Sequence, residues 1–122
     1  MFSISAGLAY LVTAFMPERP AKVAAPPPAP YTLPHLIAWL EKHPVDRFYD
    51  YRCGHSCVFA QYANSMNREH YWSEALNEFA NIYGADTVSS EGRIRRIARN
   101  VPHTFGAALG RARALEALWQ NQ

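Results

Sequence analysis

One short stretch of the chain has the residue types and spacing of a reactive or metal-binding site. Cys53 and Cys57 are separated by three residues, and Arg52 and His55 lie beside them. Two thiols and an imidazole this close together are typical of a metal site, of thiol chemistry, or of a tight turn packed under aromatic side chains. We name residues 50–57 the cysteine turn.

A zinc site is the first alternative. The spacing Cys53-x3-Cys57-x12-His70 matches the first three ligands of a Cys2His2 zinc finger. The position of the fourth ligand holds Glu74, and structural zinc sites rarely use such a carboxylate. We therefore predict no required cofactor, and zinc bound by Cys53, Cys57 and His70 stays as a less favoured alternative.

Thiol catalysis is the second alternative, and a structural turn is the third. If Ser56 caps a helix, Cys57 takes the first helical position, where the helix dipole and unpaired N–H groups favour a thiolate. However, the spacing differs from that of a thioredoxin-type pair, and nothing marks a base with an orienting partner. We favour the structural turn, in which Cys57 packs inward and Gly54 makes the bend, and we expect no enzyme.

A second candidate site is a cluster of basic residues near the end of the chain. Residues 92–115 contain no acidic residue and six arginines: Arg93, Arg95, Arg96, Arg99, Arg111 and Arg113. Four of them, Arg93, Arg95, Arg96 and Arg99, lie on the predicted fourth helix opposite Ile94 and Ile97, as on any amphipathic surface helix. Guanidinium groups also bind carboxylates and phosphates in two-pronged fashion. We therefore predict that this face binds another protein or, as the alternative, nucleic-acid backbone.

Aromatic residues extend this predicted binding surface. Tyrosine and tryptophan, like arginine, are frequent anchors of protein interfaces. We expect four of them to be exposed contact residues: Tyr49, Tyr51, Tyr71 and Trp72. The connection between the fourth and fifth helices contains Pro102 and lacks the usual glycine, so a helix-turn-helix that reads DNA sequence is a poor match.

Five short helices are predicted to position these residues. Apolar residues recur at helical spacing, and no stretch alternates with a period of two. The expected N-caps are Thr32, Ser56, Ser73, Ser89 or Ser90, and Thr104. The expected breaks are Pro44, Gly84 and Pro102. The fold class is thus a small all-α bundle, with a C-terminal helical hairpin and a core of Leu36, Leu40, Phe59, Tyr62, Leu76, Phe79, Ile94, Ile97, Leu109 and Leu115.

The first thirty residues differ in composition from the rest. Residues 1–16 carry no charged side chain, but they fall short of the roughly 20 residues of a membrane span. We expect this segment to pack on protein, with membrane contact or a cleaved signal as alternatives. Residues 17–30 are proline-rich and predict an extended linker, and residues 31–122 form the predicted helical domain. Because two cysteines are too few for a disulfide scaffold, we expect reduced thiols in a cytoplasm.

Several short phrases resemble uncharacterised helical proteins encoded by bacteriophages and prophages. They are residues 36–41 (LIAWLE), 49–51 (YDY), 60–62 (AQY) and 104–112 (TFGAALGRA). None of these phrases is a functional motif, so the resemblance implies no site residue and no cofactor. It implies a setting, namely a small accessory protein that binds a host factor, a host defence component or a virion part. Such a protein acts in the host cytoplasm, or in association with a membrane or the virion.

Overall fold

The computed structural model describes residues 27–66 and 72–121, which form a small all-α bundle. Its five helices are α1 (Leu33–Leu40), α2 (Val58–Asn64), α3 (Trp72–Tyr83), α4 (Arg93–Arg99) and α5 (Phe105–Gln120). A 3-10 turn, Ala85–Val88, lies between α3 and α4, and the described residues contain no strand. The predicted fold class is confirmed. The predicted apolar segment, residues 1–16, and residues 17–26 of the predicted linker lie outside the described residues.

Two predicted N-caps and one predicted helix end are confirmed. Thr32 Oγ1 accepts a hydrogen bond from the backbone N–H three residues later at 3.4 Å, and Thr104 accepts the equivalent bond at 3.2 Å. Each bond satisfies a donor that the first turn of a helix leaves unpaired. Helix α3 ends at Tyr83 because Gly84 follows at φ +104°, a conformation that residues with side chains avoid.

The predicted starts of α2 and α3 are displaced. The residue before α2 is Cys57 rather than Ser56, and Cys57 makes no side-chain cap bond. Helix α3 begins at Trp72, so Ser73 lies inside its first turn. The backbone N–H of Trp72 donates to the carbonyl oxygen of Gly54 at 3.1 Å. A backbone contact with the cysteine turn, rather than a serine side chain, therefore satisfies this donor.

Helix α4 begins at Arg93, after Gly92, and not after Ser89 or Ser90 as predicted. The difference follows from the 3-10 turn, because Gly92 packs directly against its backbone. A Cβ on Gly92 would lie 2.2 Å from the carbonyl oxygen of Thr87. Only glycine fits this approach, so the close contact fixes where the helix begins.

A backbone hook joins the first half of the domain to the start of α5. The hook, residues 45–49, runs antiparallel to residues 103–106. The N–H of Phe105 donates to the carbonyl of Arg47, and that of Gly106 to the carbonyl of Val45, both at 2.8 Å. These bonds satisfy donors at the helix start that no carbonyl within the helix can reach. Gly106 permits the contact, because a Cβ there would lie 2.7 Å from the Val45 oxygen.

Every residue of the predicted core is buried. Near its centre, the ring of Tyr62 stacks on that of Phe79 at 5.8 Å, and the Tyr62 hydroxyl accepts a hydrogen bond from the N–H of Tyr31 at 2.9 Å. Small residues complete the core: Ala60, Ala63, Ala75, Ala98, Ala108 and Ala112 are also buried. Small side chains let helices approach closely. Helices α1 and α4 both pack on α5, so the last two helices are in contact as predicted.

Candidate binding groove between the last two helices

The cysteine turn is closed by backbone hydrogen bonds and packs one thiol inward. The N–H of Cys57 donates to the carbonyl oxygen of Cys53 at 3.0 Å. Cys57 is 1% exposed, and burial raises the pKa of its thiol, which opposes the thiolate expected for a catalytic cysteine at a helix start. Cys53 is half-buried, and its pKa is lowered by a hydrogen bond from the Ser56 hydroxyl and by backbone N–H groups. Both thiols are free.

Within residues 27–66 and 72–121, no group of three histidine, cysteine, aspartate or glutamate side chains converges as metal ligands do. The third predicted zinc ligand, His70, lies outside the described residues, so the zinc alternative stays a prediction. Cys57 belongs to the same core cluster as Phe59 and Tyr62. Burial within this cluster agrees with the packing role that the structural-turn interpretation expects for Cys57.

One of the four aromatic residues expected at the surface is buried instead. Tyr49, at the end of the backbone hook, is 5% exposed, and its hydroxyl donates to the carbonyl of Ala98 at 2.5 Å. Burial raises the pKa of Tyr49 to about 12. The prediction that Tyr49 is exposed is therefore wrong. Tyr51 and Trp72 are half-buried, and Tyr71 lies outside the described residues.

Two arginines of α4 bond to the segment that precedes the helix. Arg95 donates to the carbonyl oxygen of Val88 at 3.2 Å, and its guanidinium lies 4.5 Å from the centre of the Trp72 ring. Arg99 donates to the carboxylate of Glu91 at 3.2 Å, and this bond with Arg99 is the main reason that the pKa of Glu91 is lowered. Both side chains thus hold α4 against the chain before it. A ligand that displaced these bonds would therefore weaken the attachment of α4.

Two arginines of α5 are also bonded within the protein. Arg111 donates to three oxygens, at 3.0 to 3.2 Å: the carbonyls of Ile97 and Pro102 and the hydroxyl of Tyr49. The bond to Ile97 satisfies a carbonyl near the end of α4, where no backbone N–H of the helix is available to it. Arg113 forms an ion pair of 2.6 Å with Glu41, just after α1. Arg111 and Arg113 therefore connect α5 to two different neighbours.

Arg93 and Arg96 keep their guanidinium groups at the surface. Arg93 is exposed and makes no hydrogen bond or ion pair with the part of the chain that the structure describes. Arg96 is 45% exposed and lies 3.6 Å from Glu91, which is itself 75% exposed. An ion pair this exposed contributes little stability. These two side chains are the ones that a partner could engage without breaking the fold.

Both of these arginines line a groove of about 320 Å³ between α4 and α5. The apolar part of its lining consists of Ile97, Ala114, Leu115 and Leu118. Leu118 is 47% exposed, although it is a large apolar side chain. Arg111 and Asn100 complete the lining, which contains no acidic residue. An apolar floor edged by positive charge favours an occupant that is apolar on one side and anionic beside it.

The sequence analysis did not identify the apolar half of this groove. The predicted core included Leu109 and Leu115 of α5 but not Leu118, and the buried stripe of this helix is Phe105, Ala108, Leu109, Ala112 and Leu115. Leu118 lies beside that stripe and serves no part of the predicted core. An apolar residue next to an already complete stripe, on a helix whose neighbour carries arginines, is the signal that was available for it.

Two further cavities lie elsewhere on the domain. One, of about 540 Å³, lies beside the backbone hook and is lined by Phe48, Tyr49, Asp50, Ser56 and Gln61. The other, of about 200 Å³, is lined by Leu33, Pro34, Tyr83, Glu116, Trp119 and Gln120. Phe48, in the lining of the first cavity, is 76% exposed. Neither lining includes an arginine, so the groove alone among these three joins apolar side chains to positive charge.

Neither the lengths of the described helices nor similarity to known proteins adds an indication of function to that of the groove. None of the described helices is both long and apolar enough to cross a bilayer, and the predicted membrane contact through residues 1–16 lies outside the described residues. No protein-family model, curated protein or solved structure matches the chain.

Proposed function

We propose that the protein is a small non-enzymatic accessory protein, of the phage type, that acts by binding another protein through the face formed by α4 and α5. Its partner is a host factor, a host defence component or a virion part, in the cytoplasm of the host cell. The setting comes from the sequence resemblance, and the binding surface comes from the groove. The two parts of the proposal are therefore independent.

The groove is the observation that carries the proposal. Arg93 and Arg96 are free of strong internal bonds, and they flank a floor that exposes 47% of Leu118 to solvent. Apolar surface rimmed by polar groups is characteristic of interaction sites. Arginine at the edge of such a patch is a frequent interface anchor. The rigid core beneath the groove supports docking without large rearrangement.

Nucleic-acid binding remains the second candidate, and the free arginines define how strong it can be. Because Arg95, Arg99, Arg111 and Arg113 are engaged within the protein, two guanidinium groups of the predicted face are left for phosphates. Neutralising two phosphates gives a log–log slope of binding against salt of about −1.8. A measured slope much steeper than this would favour nucleic acid as the main ligand.

The test uses tagged full-length protein as bait in a lysate of infected or host cells, with quantitative mass spectrometry. Arg93→Gln combined with Arg96→Gln removes the two free charges, and Leu118→Asp alters the floor. Lys42→Gln combined with Arg52→Gln is the matched control, because it removes the same charge from exposed positions outside the groove lining and outside α4 and α5. We expect one specific partner that the wild type and the control recover and that both groove variants lose by at least about fivefold.

Circular dichroism of all variants separates binding from folding, since every substituted side chain is exposed. Recovery of the same proteins in the same amounts by every variant would contradict the proposal. Loss in the control as well as in the groove variants would show that net charge, and not the groove, governs capture.

A further inference from the structure

We infer that the occupant of the groove is an acidic amphipathic helix of the partner protein, an inference that rests on the proposed function and names the chemistry of its ligand. Its apolar side chains would cover Leu115 and Leu118, and its carboxylates would face Arg93 and Arg96. The shape of the groove, its charge and the position of Glu91 support this assignment separately.

The spacing of the lining residues gives the groove its direction. On α4, Arg96 and Ile97 lie three and four positions after Arg93, and Asn100 follows just beyond the end of the helix. On α5, Ala114 and Leu118 are four positions apart. Because such intervals mark one face of a helix, both walls run along their helix axes. The groove therefore extends for about two helical turns, or about 10 Å.

A helix fits this groove better than an extended peptide. A channel between two adjacent helices receives a third helix by the same ridge-and-groove packing that joins the first two. Ala114, on the α5 wall, is small enough for close approach of another backbone. An extended peptide added as a β-strand would require a sheet edge, and the described residues contain no strand. A polyproline II peptide would require an aromatic-lined groove, and this lining contains no aromatic residue. We therefore expect partner anchors at positions i, i+3 or i+4, and i+7.

The charge of the groove is one-sided. All charged residues in its lining are arginines, and the two free ones stand on the α4 wall. The α5 wall is apolar at Ala114, Leu115 and Leu118, and the guanidinium of its one charged lining residue, Arg111, already donates to three oxygens of the protein. The partner helix should therefore carry aspartate or glutamate along one edge, spaced to match Arg93 and Arg96. Its opposite edge needs no charge.

Glu91 already occupies part of the position that the partner carboxylate would take. It lies 3.6 Å from the guanidinium of Arg96 and is 75% exposed. Glu91 therefore competes weakly with an incoming acid for Arg96. Removing its charge should tighten the binding of an acidic helix, whereas it should not affect a helix without acids.

The experiment uses full-length protein and three synthetic 18-residue helical peptides with the same leucine positions. One carries glutamate along one edge, the second carries lysine there, and the third carries glutamine. Binding is measured by fluorescence anisotropy, and the site is located by methyl NMR of Ile97, Leu115 and Leu118, with buried Leu36 as the reference. We expect the glutamate peptide to bind at least about tenfold tighter than the lysine peptide and to shift the three groove methyl groups.

The variants then test each contact. Arg93→Gln with Arg96→Gln should weaken the glutamate peptide by about fivefold or more, and the control Lys42→Gln with Arg52→Gln should leave its affinity within about twofold. Glu91→Gln should strengthen the glutamate peptide by about two- to fourfold and leave the glutamine peptide unchanged. Raising the salt concentration should weaken the glutamate peptide and reduce the difference between the peptides.

The possible failures can be told apart. Equal binding of the glutamate and lysine peptides, or a preference for lysine, overturns the acidic assignment and leaves a helix-binding groove. Absence of any groove shift with all three peptides overturns the inference, and a partner captured in a Leu118-dependent manner would still uphold the proposed function. If no peptide shifts the groove signals and no partner is captured in a Leu118-dependent manner, the groove is not a binding site.

Discussion

The cysteine turn and the groove between α4 and α5 use their side chains in opposite ways. The turn contains the residues that look most reactive, yet Cys57 is 1% exposed and belongs to the core. The groove is built on plain residues such as Ala114 and Leu118, with arginine at its edge. The comparison teaches that burial and bonding partners, rather than residue type, decide which groups a protein can offer to a ligand.

The same contrast exists within the arginines. The guanidinium of Arg111 donates hydrogen bonds to three oxygens of the protein, whereas that of Arg93 donates none to the described part of the chain. Arginines that look equivalent in the sequence therefore fall into two groups, those bonded within the protein and those open to a ligand. This division would be wrong if replacing Arg111 left the free energy of unfolding unchanged. The contrast between the cysteine turn and the groove would be wrong if both thiols reacted at the same rate.

The largest effect is expected for Arg111→Ala. It leaves the carbonyls of Ile97 and Pro102 and the hydroxyl of Tyr49 without their charged donor. We expect the free energy of unfolding to fall by about 2–3 kcal/mol. Arg113→Ala, on the same helix, loses an exposed ion pair with Glu41 and should cost less than about 1 kcal/mol. Urea denaturation of both variants measures the difference, and equal losses would remove the distinction between them.

The second effect is a loss of stability in alkali that depends on Tyr49. Its pKa is about 12 in the folded protein and 10.0 in the unfolded chain, because burial opposes its ionisation. The unfolded state releases the proton first, so the stabilisation is complete below pH 10 and is lost as the pH rises towards 12. The loss should be about 2 kcal/mol.

The measurement compares the unfolding free energy of the wild type with that of Tyr49→Phe between pH 9 and pH 12. The difference isolates Tyr49, because Cys57 and Tyr62 titrate in both proteins. The wild-type curve should fall more steeply with pH than the variant curve. Parallel curves would mean that the Tyr49 hydroxyl is not held in the interior.

The smallest effect separates the two cysteines. Cys57→Ser places a hydroxyl in the core and should cost about 1–2 kcal/mol, whereas Cys53→Ser should change stability by less than about 0.5 kcal/mol. Titration of the native protein with an aromatic disulfide reagent should modify Cys53 quickly. Cys57 should react only on unfolding, since it is buried and its pKa is raised. Fast reaction of both thiols would place Cys57 at the surface.

The fold could be predicted from the sequence wherever local chemistry decides it. The periodic apolar residues of the core are all buried, and Thr32 and Thr104 cap α1 and α5 through their own hydroxyls. The predicted start of α3 was wrong because a carbonyl oxygen of the cysteine turn accepts a hydrogen bond from the N–H of Trp72. The predicted start of α4 was wrong because Gly92 packs directly against the backbone carbonyl of Thr87. Neither contact has a signature in the nearby sequence.

The candidate site was predictable only in part for the same reason. The six arginines are evident, but which of them stay free depends on partners far along the chain. Arg113 meets Glu41, and Arg111 meets Tyr49, only after the helices have packed. The sequence shows that Leu118 is an apolar residue beside the buried stripe of α5, but only the packed helices show that it lines a groove.

The backbone hook has a consequence for how this domain can be divided. The final helix begins on carbonyl groups supplied by residues 45–49, so it is not an autonomous module that recombination or cloning could transplant. A protease nick anywhere between the hook and α5 would yield two fragments that each carry half of the same junction. Such fragments should reassociate as complementing halves rather than persist as separate folded units.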